Sequence, residues 1–498
     1  MQLLKPSKIG WVGLQLALCL NFLASCPAKA TSGFLAEGGE SALIGNLAGD
    51  QNAPAIALGS DGGFVVWQDS GIDSDGGGIR ARRINRTTTG SLAGAFQPFW
   101  VHDKTTGVQS NPQVALLAGG GAVFVWSAGP LGQAGIYARY LRSGSSSTPA
   151  FAGDEIEIAA PGKVSNLTPV VARLNDGTVV VAWSQYQGPE SLLDVVVQRL
   201  SSGGQLLGKS FPVNLTTDYN QRSPSVSALV NGGFVVAWVS ENQRFDRSVD
   251  ILARIYSGSG FPLTSSEMRL NYGTSICAMP SLAALPNGGF VAVWTEKDPN
   301  RPENGWDIFG RSFDDNSVAL KPSVKINDYV FSDQLAPKVA VAGNAVMAVW
   351  TSFGQDGYRE GVFGRYLSLD GEITDDEFGL NQTVISQQLE PAIASDWTSR
   401  FVAVWTGFNS LDTGFDLVSR KFVGPAVVVA PRCEIAQLSN GLRLSWSTES
   451  GASYQVESTS DLTSWSPLGT IRTASSSTDS LLLQPVQAGG FYRIVRLP

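Results

Sequence analysis

The side chains most able to do chemistry in this sequence are acidic, and they fall in clusters. Asp69, Asp73 and Asp75 precede Gly76 in one run. Asp298, Glu303 and Asp307 lie together in a second, and Asp356 and Glu360 in a third. A short flexible loop that offers several oxygens suits Ca2+. Asp73-Ser74-Asp75-Gly76 matches only the opening of a calcium-loop signature. A solvated acidic turn therefore stands beside a Ca2+ site at Asp69, Asp73 and Asp75, and no other cofactor is indicated. Two carboxylates at a suitable separation can hydrolyse a glycoside. With 43 acidic residues in the chain, some pair always lies near that separation, so spacing alone identifies none.

Histidine and cysteine narrow the chemistry further. The chain has one histidine, His102, so zinc sites built from two or three histidines are excluded. His102 follows Phe99-Trp100-Val101, which reads as an edge strand, and a structural role fits it best. Of the four cysteines, Cys19 and Cys26 fall in an N-terminal targeting region, while Cys277 and Cys433 lie in different domains. A disulfide framework is therefore not expected, and both later cysteines read as small buried hydrophobes. The chain shows no P-loop, no CxxC and no G-x-S-x-G.

These residues must be held by a framework rich in turns. The chain has 498 residues, of which 55 are glycine; 43% are hydrophobic and only 16% charged. The net charge of −8 argues against nucleic acid and anionic membranes as partners, since both need a basic surface. Lys5 and Lys8 precede the mostly apolar run from Ile9 to Leu23, the pattern of a signal peptide over residues 1–30. Ala28-Lys29-Ala30 offers one cleavage site. Leu23-Ala24-Ser25-Cys26 offers a lipobox in which Cys26 would carry a lipid anchor. No second run is long enough for a transmembrane segment. Secretion or periplasmic residence is expected, with a lipid-anchored surface form as the alternative.

An internal repeat organises residues 34–422. Prolines 54, 112, 169, 224, 280, 337 and 391 recur every 54 to 58 residues. Each opens an alternating strand, as in Pro224-Ser-Val-Ser-Ala-Leu, followed by a turn such as Asn231-Gly232. A continuous apolar run then ends at Trp67, Trp126, Trp183, Trp238, Trp294, Trp350 or Trp405. Such a run is buried on both faces, and the tryptophans read as packing between units. A third strand carries Arg82, Arg139, Arg199, Arg254, Arg311, Arg365 or Arg420. These arginines lie too far from an axis to converge, and Asp194, Asp250, Asp307 and Asp416 or a Trp ring are their expected partners. A fourth, polar strand completes the unit. Sheets buried on both sides need neighbours on both sides, and radial stacking supplies them.

The fold expected is all-β: a seven-bladed β-propeller with four-stranded blades. The last unit, from Pro391 to Phe422, lacks its fourth strand, and Ser41-Ala-Leu-Ile-Gly-Asn46 resembles that strand. The N-terminal strand is therefore expected to close the last blade. Residues 423–432 read as a linker. Residues 433–498 read as a small β-sandwich of short strands such as Gly441-Leu-Arg-Leu-Ser-Trp446 and Phe491-Tyr-Arg-Ile-Val495.

The repeats, with their "GGFVVAW…DIxARxY" pattern, resemble units of large extracellular and surface proteins of bacteria. The run Tyr454 to Trp465 with Phe491-Tyr492-Arg493 resembles the fibronectin-III-like C-terminal modules of secreted planctomycete and verrucomicrobial proteins. The first resemblance implies an exported propeller and no particular reaction. With no catalytic constellation evident, the expectation is a binding or scaffold protein recognising a glycan or an extracellular protein. The alternative is a propeller-type polysaccharide hydrolase or lyase using Asp/Glu catalysis.

Overall fold

The computed structural model describes residues 33–498, apart from residue 46 and the segments 71–76, 86–95, 104–106, 131, 145–148, 163–164, 190–191, 298–304, 411–413, 425–432, 439–440, 449–452, 460–463, 475–477, 484–490 and 497–498. The described chain is all-β: strands joined by turns, one short 3-10 turn at Ala118–Gly120, and no α-helix. Among the described residues no helix is long and apolar enough to cross a membrane. The signal-peptide residues, including Cys26, lie outside the described residues.

Seven antiparallel sheets of four or five strands fill residues 35–423. We number them I to VII in chain order by their first strands: Gln51–Gly59, Val108–Leu116, Asn166–Arg173, Gln221–Ala228, Ile276–Ala284, Gln334–Ala342 and Gln388–Ser395. Sheet IV shows the common order, with Phe234–Glu241, Val249–Tyr256 and the two-residue edge Met268–Arg269 following its first strand. The first strand of each sheet packs against that of the next, and that of sheet VII returns to sheet I. A closed ring of radial sheets is the arrangement of a β-propeller. It arises because each second strand is apolar on both faces: Phe234 to Val239 are all fully buried, and the core clusters span adjacent sheets.

The third strand of sheet VII, Gly414–Val423, pairs with two N-terminal segments, Leu35–Ala36 and Ser41–Ala42. Two further contacts fix this segment between its neighbours. Glu40 accepts hydrogen bonds from the backbone amides of Gln382 and Thr383 beside sheet VI. Arg82 of sheet I donates to the Leu43 carbonyl.

The sequence places the repeat prolines at the start of each first strand. In the structure that strand begins three residues earlier, and the proline sits in a bulge where the register shifts, as between Asn52 and Ala55 or Arg222 and Ser225. A bulge tolerates a residue that cannot donate to the ladder. At the turn between first and second strands, glycine takes positive φ, as Gly232 at 90° and Gly288 at 100°, and in sheet VII Trp397 does so at 67°. Asn231 instead accepts the Gly233 amide with its side chain.

From Cys433 onward, the described strands form a three-stranded and a four-stranded sheet. Leu444, Trp446 and Leu483 of the first share one buried cluster with Tyr454 and Val456 of the second.

Candidate functional site at the ring axis

The ring encloses an axial channel whose two ends differ. One cavity, of about 540 Å³, touches the far ends of all seven first strands, near their hairpins, where Leu58, Leu116, Val230 and Val341 line it. The other, of about 230 Å³, lies where the first strands begin. Asn111, Gln113, Thr168, Ser223, Met279 and Lys338 border it. This second end is the mouth on the face formed by the loops that enter each sheet.

A bulge shapes this mouth. The residue before each repeat proline has positive φ: Ala53 (47°), Asn111 (53°), Thr168 (49°), Ser223 (54°), Met279 (52°), Ala336 (52°) and Glu390 (54°). None is glycine, so each holds a conformation that side-chain residues rarely take. Strain repeated at every sheet of one rim is sustained only where surrounding contacts over-determine it.

Those contacts come from a buried amide three residues before the proline. Gln221 accepts the Trp238 Nε1 proton at 3.1 Å and donates to the Asp218 carbonyl. Asn166 does the same for Trp183 and the Ala134 carbonyl. Gln334 and Gln388 grip the carbonyls of Phe331 and Ile385. Trp183 and Trp238 are thus tied to this amide, and the amides of Gln221, Gln334 and Gln388 to the entering loops. Those loops in turn hold Tyr219, Tyr272, Phe331 and Ile385 outward, all at least half exposed. In sheet V the amide is replaced by Cys277, and Glu296 takes over the tryptophan, accepting from Trp294 at 2.9 Å. Burial and the adjacent Glu296 push the Cys277 thiol far above its usual pKa, which makes it an inert core residue.

Most acids of this face are committed to structure. Asn214, Asn271 and Asn327 donate to Asp194, Asp250 and Asp307 at 2.6, 2.9 and 2.7 Å. Each asparagine also accepts a strand amide, from Val195, Ile251 and Ile308. Asp356 is held by Asn381 in the same way. Burial raises the Asp194 and Asp416 pKa values, opposed by the bonds from Asn214 and Asn409. Glu267 and Glu377 cap the loops that enter their own sheets, IV and VI, through the amides of Leu215 and Asp328.

Two charged groups at the mouth stand apart. Glu390 is exposed, and its Oε2 accepts the Ala53 amide at 2.9 Å. Lys338, on the neighbouring first strand, keeps solvent-accessible surface in the channel while protein surrounds it. The loss of bulk water holds its ammonium below the usual lysine pKa, and Glu390 opposes that shift. Beyond the rim, Glu360 accepts from Gln387 at 3.0 Å, three residues before Glu390. The sequence singled out Glu360 but neither Glu390 nor Lys338. Their position beside the repeat proline was the available signal.

Of the residues expected to bind metal, only Asp69 is among the described residues. Asp69 is fully buried, accepting from Trp67 Nε1 at 3.3 Å and facing Arg80 at 3.5 Å. Asp73 and Asp75 lie outside the described residues, as do Asp298, Glu303 and the side chain of Cys433. Among the described residues, no group of three metal-ligating side chains occurs.

All seven repeat tryptophans are buried to 1% exposure or less. The arginines do not take the aspartates expected as partners, because asparagines already occupy these. Instead Arg139, Arg254, Arg311, Arg365 and Arg420 each donate to a carbonyl next to the edge strand of the preceding sheet: Val101, Val213, Leu270, Ile326 and Leu380. Arg199 departs from this, donating to Ser259 of the following sheet. His102 is 5% exposed and follows Phe99 by three residues, as Asn214 follows Phe211. It therefore stands at the asparagine position of sheet I, packed edge-on to Trp100.

No protein-family model matches the chain, and no curated protein matches it. Solved structures of similar architecture do. A protein of unknown function from Dyadobacter fermentans shares 11% identity over 79% of this chain and 100% of its own, with a TM-score of 0.47. The alpha-L-arabinanase of Penicillium chrysogenum, solved with arabinobiose, shares 12% over 77% and 98%, with a TM-score of 0.45. The GH93 alpha-L-arabinofuranosidase of Fusarium graminearum shares 11% over 67% and 98%, also at 0.45. Several such structures are titled as glycoside hydrolases rather than as the binding or scaffold proteins expected from the sequence.

Proposed function

We propose that the protein is a propeller-type polysaccharide hydrolase whose active site is the polar mouth of the axial channel. The observation that carries this reading is Glu390, a carboxylate at the strained rim that is not committed to the Asn–Asp or loop-capping bonds used by the other acids. Glu390 acts as the general acid that protonates the glycosidic oxygen, and Glu360 serves as the second carboxylate, taking the proton of the attacking water. The three-residue step from Gln387 to Glu390 spans about 10 Å of extended chain, so both acids border one sector of the rim. The outward-held Tyr219, Tyr272 and Phe331 offer faces on which sugar rings stack. Asn111, Thr168 and Ser223 offer hydrogen bonds to hydroxyls.

The same proposal covers the architecture around the site. Seven blades closed by the N-terminal segment are supported by the seven sheets and by the contacts of Glu40 and Leu43. A fibronectin-III-like sandwich at residues 433–498 is supported by two sheets around one cluster. Export through residues 1–30 is supported by the charge and hydropathy of that segment. The test of function is release of reducing ends from a panel of polysaccharides by the wild type and by Glu390→Gln. Release that the substitution abolishes, with glycan binding retained, is expected. No release from any polysaccharide would overturn the reading.

A further inference from the structure

Lys338 raises a question that hydrolysis alone does not answer. Of the residues bordering the mouth cavity it is the only charged one. The other six sheets place Ala55, Gln113, Val170, Ser225, Ser281 and Ala392 at the equivalent position, one residue after the proline. No hydrogen bond and no ion pair within 4 Å reaches its ammonium from the described residues. Its side chain is exposed at the cavity, and an ammonium there with no close partner can donate charge-assisted hydrogen bonds to an anion. It is the one polar group here whose environment improves when an anion enters.

We infer that the polysaccharide is anionic, its carboxylate or sulfate ester held by Lys338; this rests on the reading of the mouth as a glycan site. The first strands run from the rim into the channel. Lys338 stands one residue past its proline and Glu390 one residue before its own, so the Lys338 backbone lies about two residues, roughly 7 Å, deeper. The sugar's acidic group therefore points down the axis, away from the Glu390 carboxylate, while the glycosidic oxygen stays at the rim. Gln113 and Thr168 lie on the opposite wall and can donate to the remaining anionic oxygens.

The test separates this inference from hydrolysis by measuring binding in the Glu390→Gln background. Calorimetric titrations use an oligogalacturonate, its carboxyl-reduced counterpart and a sulfated oligosaccharide. Binding of one anionic probe is expected. It should weaken at least about tenfold with Lys338→Met and be partly restored with Lys338→Arg. The reduced probe should bind the lysine and methionine forms alike. Preference for the oligogalacturonate assigns the carboxylate, and preference for the sulfated probe assigns the ester. Equal binding of charged and reduced probes, indifference to Lys338→Met, or no binding at all overturns the inference. A thermal midpoint of Lys338→Met no lower than that of the parent shows that the variant is folded. Wild-type cleavage of neutral glycans alone would leave the hydrolase reading standing and this one fallen. Lys338-dependent binding without cleavage would do the reverse.

Discussion

The two ends of the channel are made by the same seven strands, yet the entering-loop rim carries a non-glycine residue at positive φ in every sheet, while the hairpin end does so only at Trp397. At the hairpin end, Leu58, Leu116, Val230 and Arg173 border the cavity, and in the last hairpin Asp396 is spent on the turn itself. It is buried and accepts the amides of Thr398, Ser399 and Arg400. At the entering-loop end, seven non-glycine residues hold positive φ, Lys338 borders the cavity and Glu390 stands exposed on the rim. The difference teaches that the repeat fixes the framework on both faces, while the strain that recurs in every sheet collects at one rim. Glu390 and Lys338 stand where the other sheets place mostly small or neutral residues.

The contrast can be broken by substitution, beginning with the largest effect. Glu390→Gln lowers kcat by roughly 10²- to 10⁴-fold, the usual worth of a general acid or base. Steady-state kinetics against the best polysaccharide measures this, and a loss under tenfold counts against Glu390. Arg254→Met belongs to neither end. It removes a charge-assisted bond to the buried Val213 carbonyl, which keeps only the Tyr256 hydroxyl, costing about 1.5–3 kcal/mol in urea unfolding. Asp396→Ala costs about 1–3 kcal/mol by the same measurement and leaves kcat unchanged, since it acts at the other end.

Acid titration gives a smaller effect on the hairpin face. Lys321 binds Asp370 and Glu372 there, and the hydrogen bond from Lys321 holds the Asp370 carboxyl below its usual pKa. A depressed carboxylate stabilises the fold above its unfolded pKa, near 4, and that contribution fades as pH falls through the depressed folded value. Asp370→Asn should flatten the stability profile below about pH 4 and change nothing at pH 7 beyond about 0.5 kcal/mol. The smallest effect is expected from Trp397→Ala at the hairpin end, which should alter neither glycan affinity nor turnover.

The framework was legible because the repeat displays its own rules. Trp238 and Trp294 end runs apolar on both faces, and the missing fourth strand after Phe422 called for a substitute from the N-terminus. The arginine positions were equally visible, but their partners were not. Arg254 and Asp250 share a strand and opposite charge, yet Asn271 claims the aspartate and the arginine reaches a carbonyl one sheet away. Cross-sheet contacts of that kind have no sequence period.

The buried amide was a visible repeat at Gln51, Gln109, Asn166, Gln221, Gln334 and Gln388, obscured by Cys277 in the fifth unit. The rim itself was hidden for a physical reason. The residue before a proline is ordinarily pushed toward extended backbone, so alanine, threonine, methionine or glutamate there gives no sign of positive φ. Only the bulge imposes it, and with it the place of Glu390.

The most direct test of the central claim is the product assay on the purified protein, comparing wild type with Glu390→Gln on a panel that pairs each acidic polysaccharide with its carboxyl-reduced form. The account expects reducing ends from an acidic member, lost with Glu390→Gln while binding persists. Undiminished release by Glu390→Gln, or none from the wild type, would contradict it.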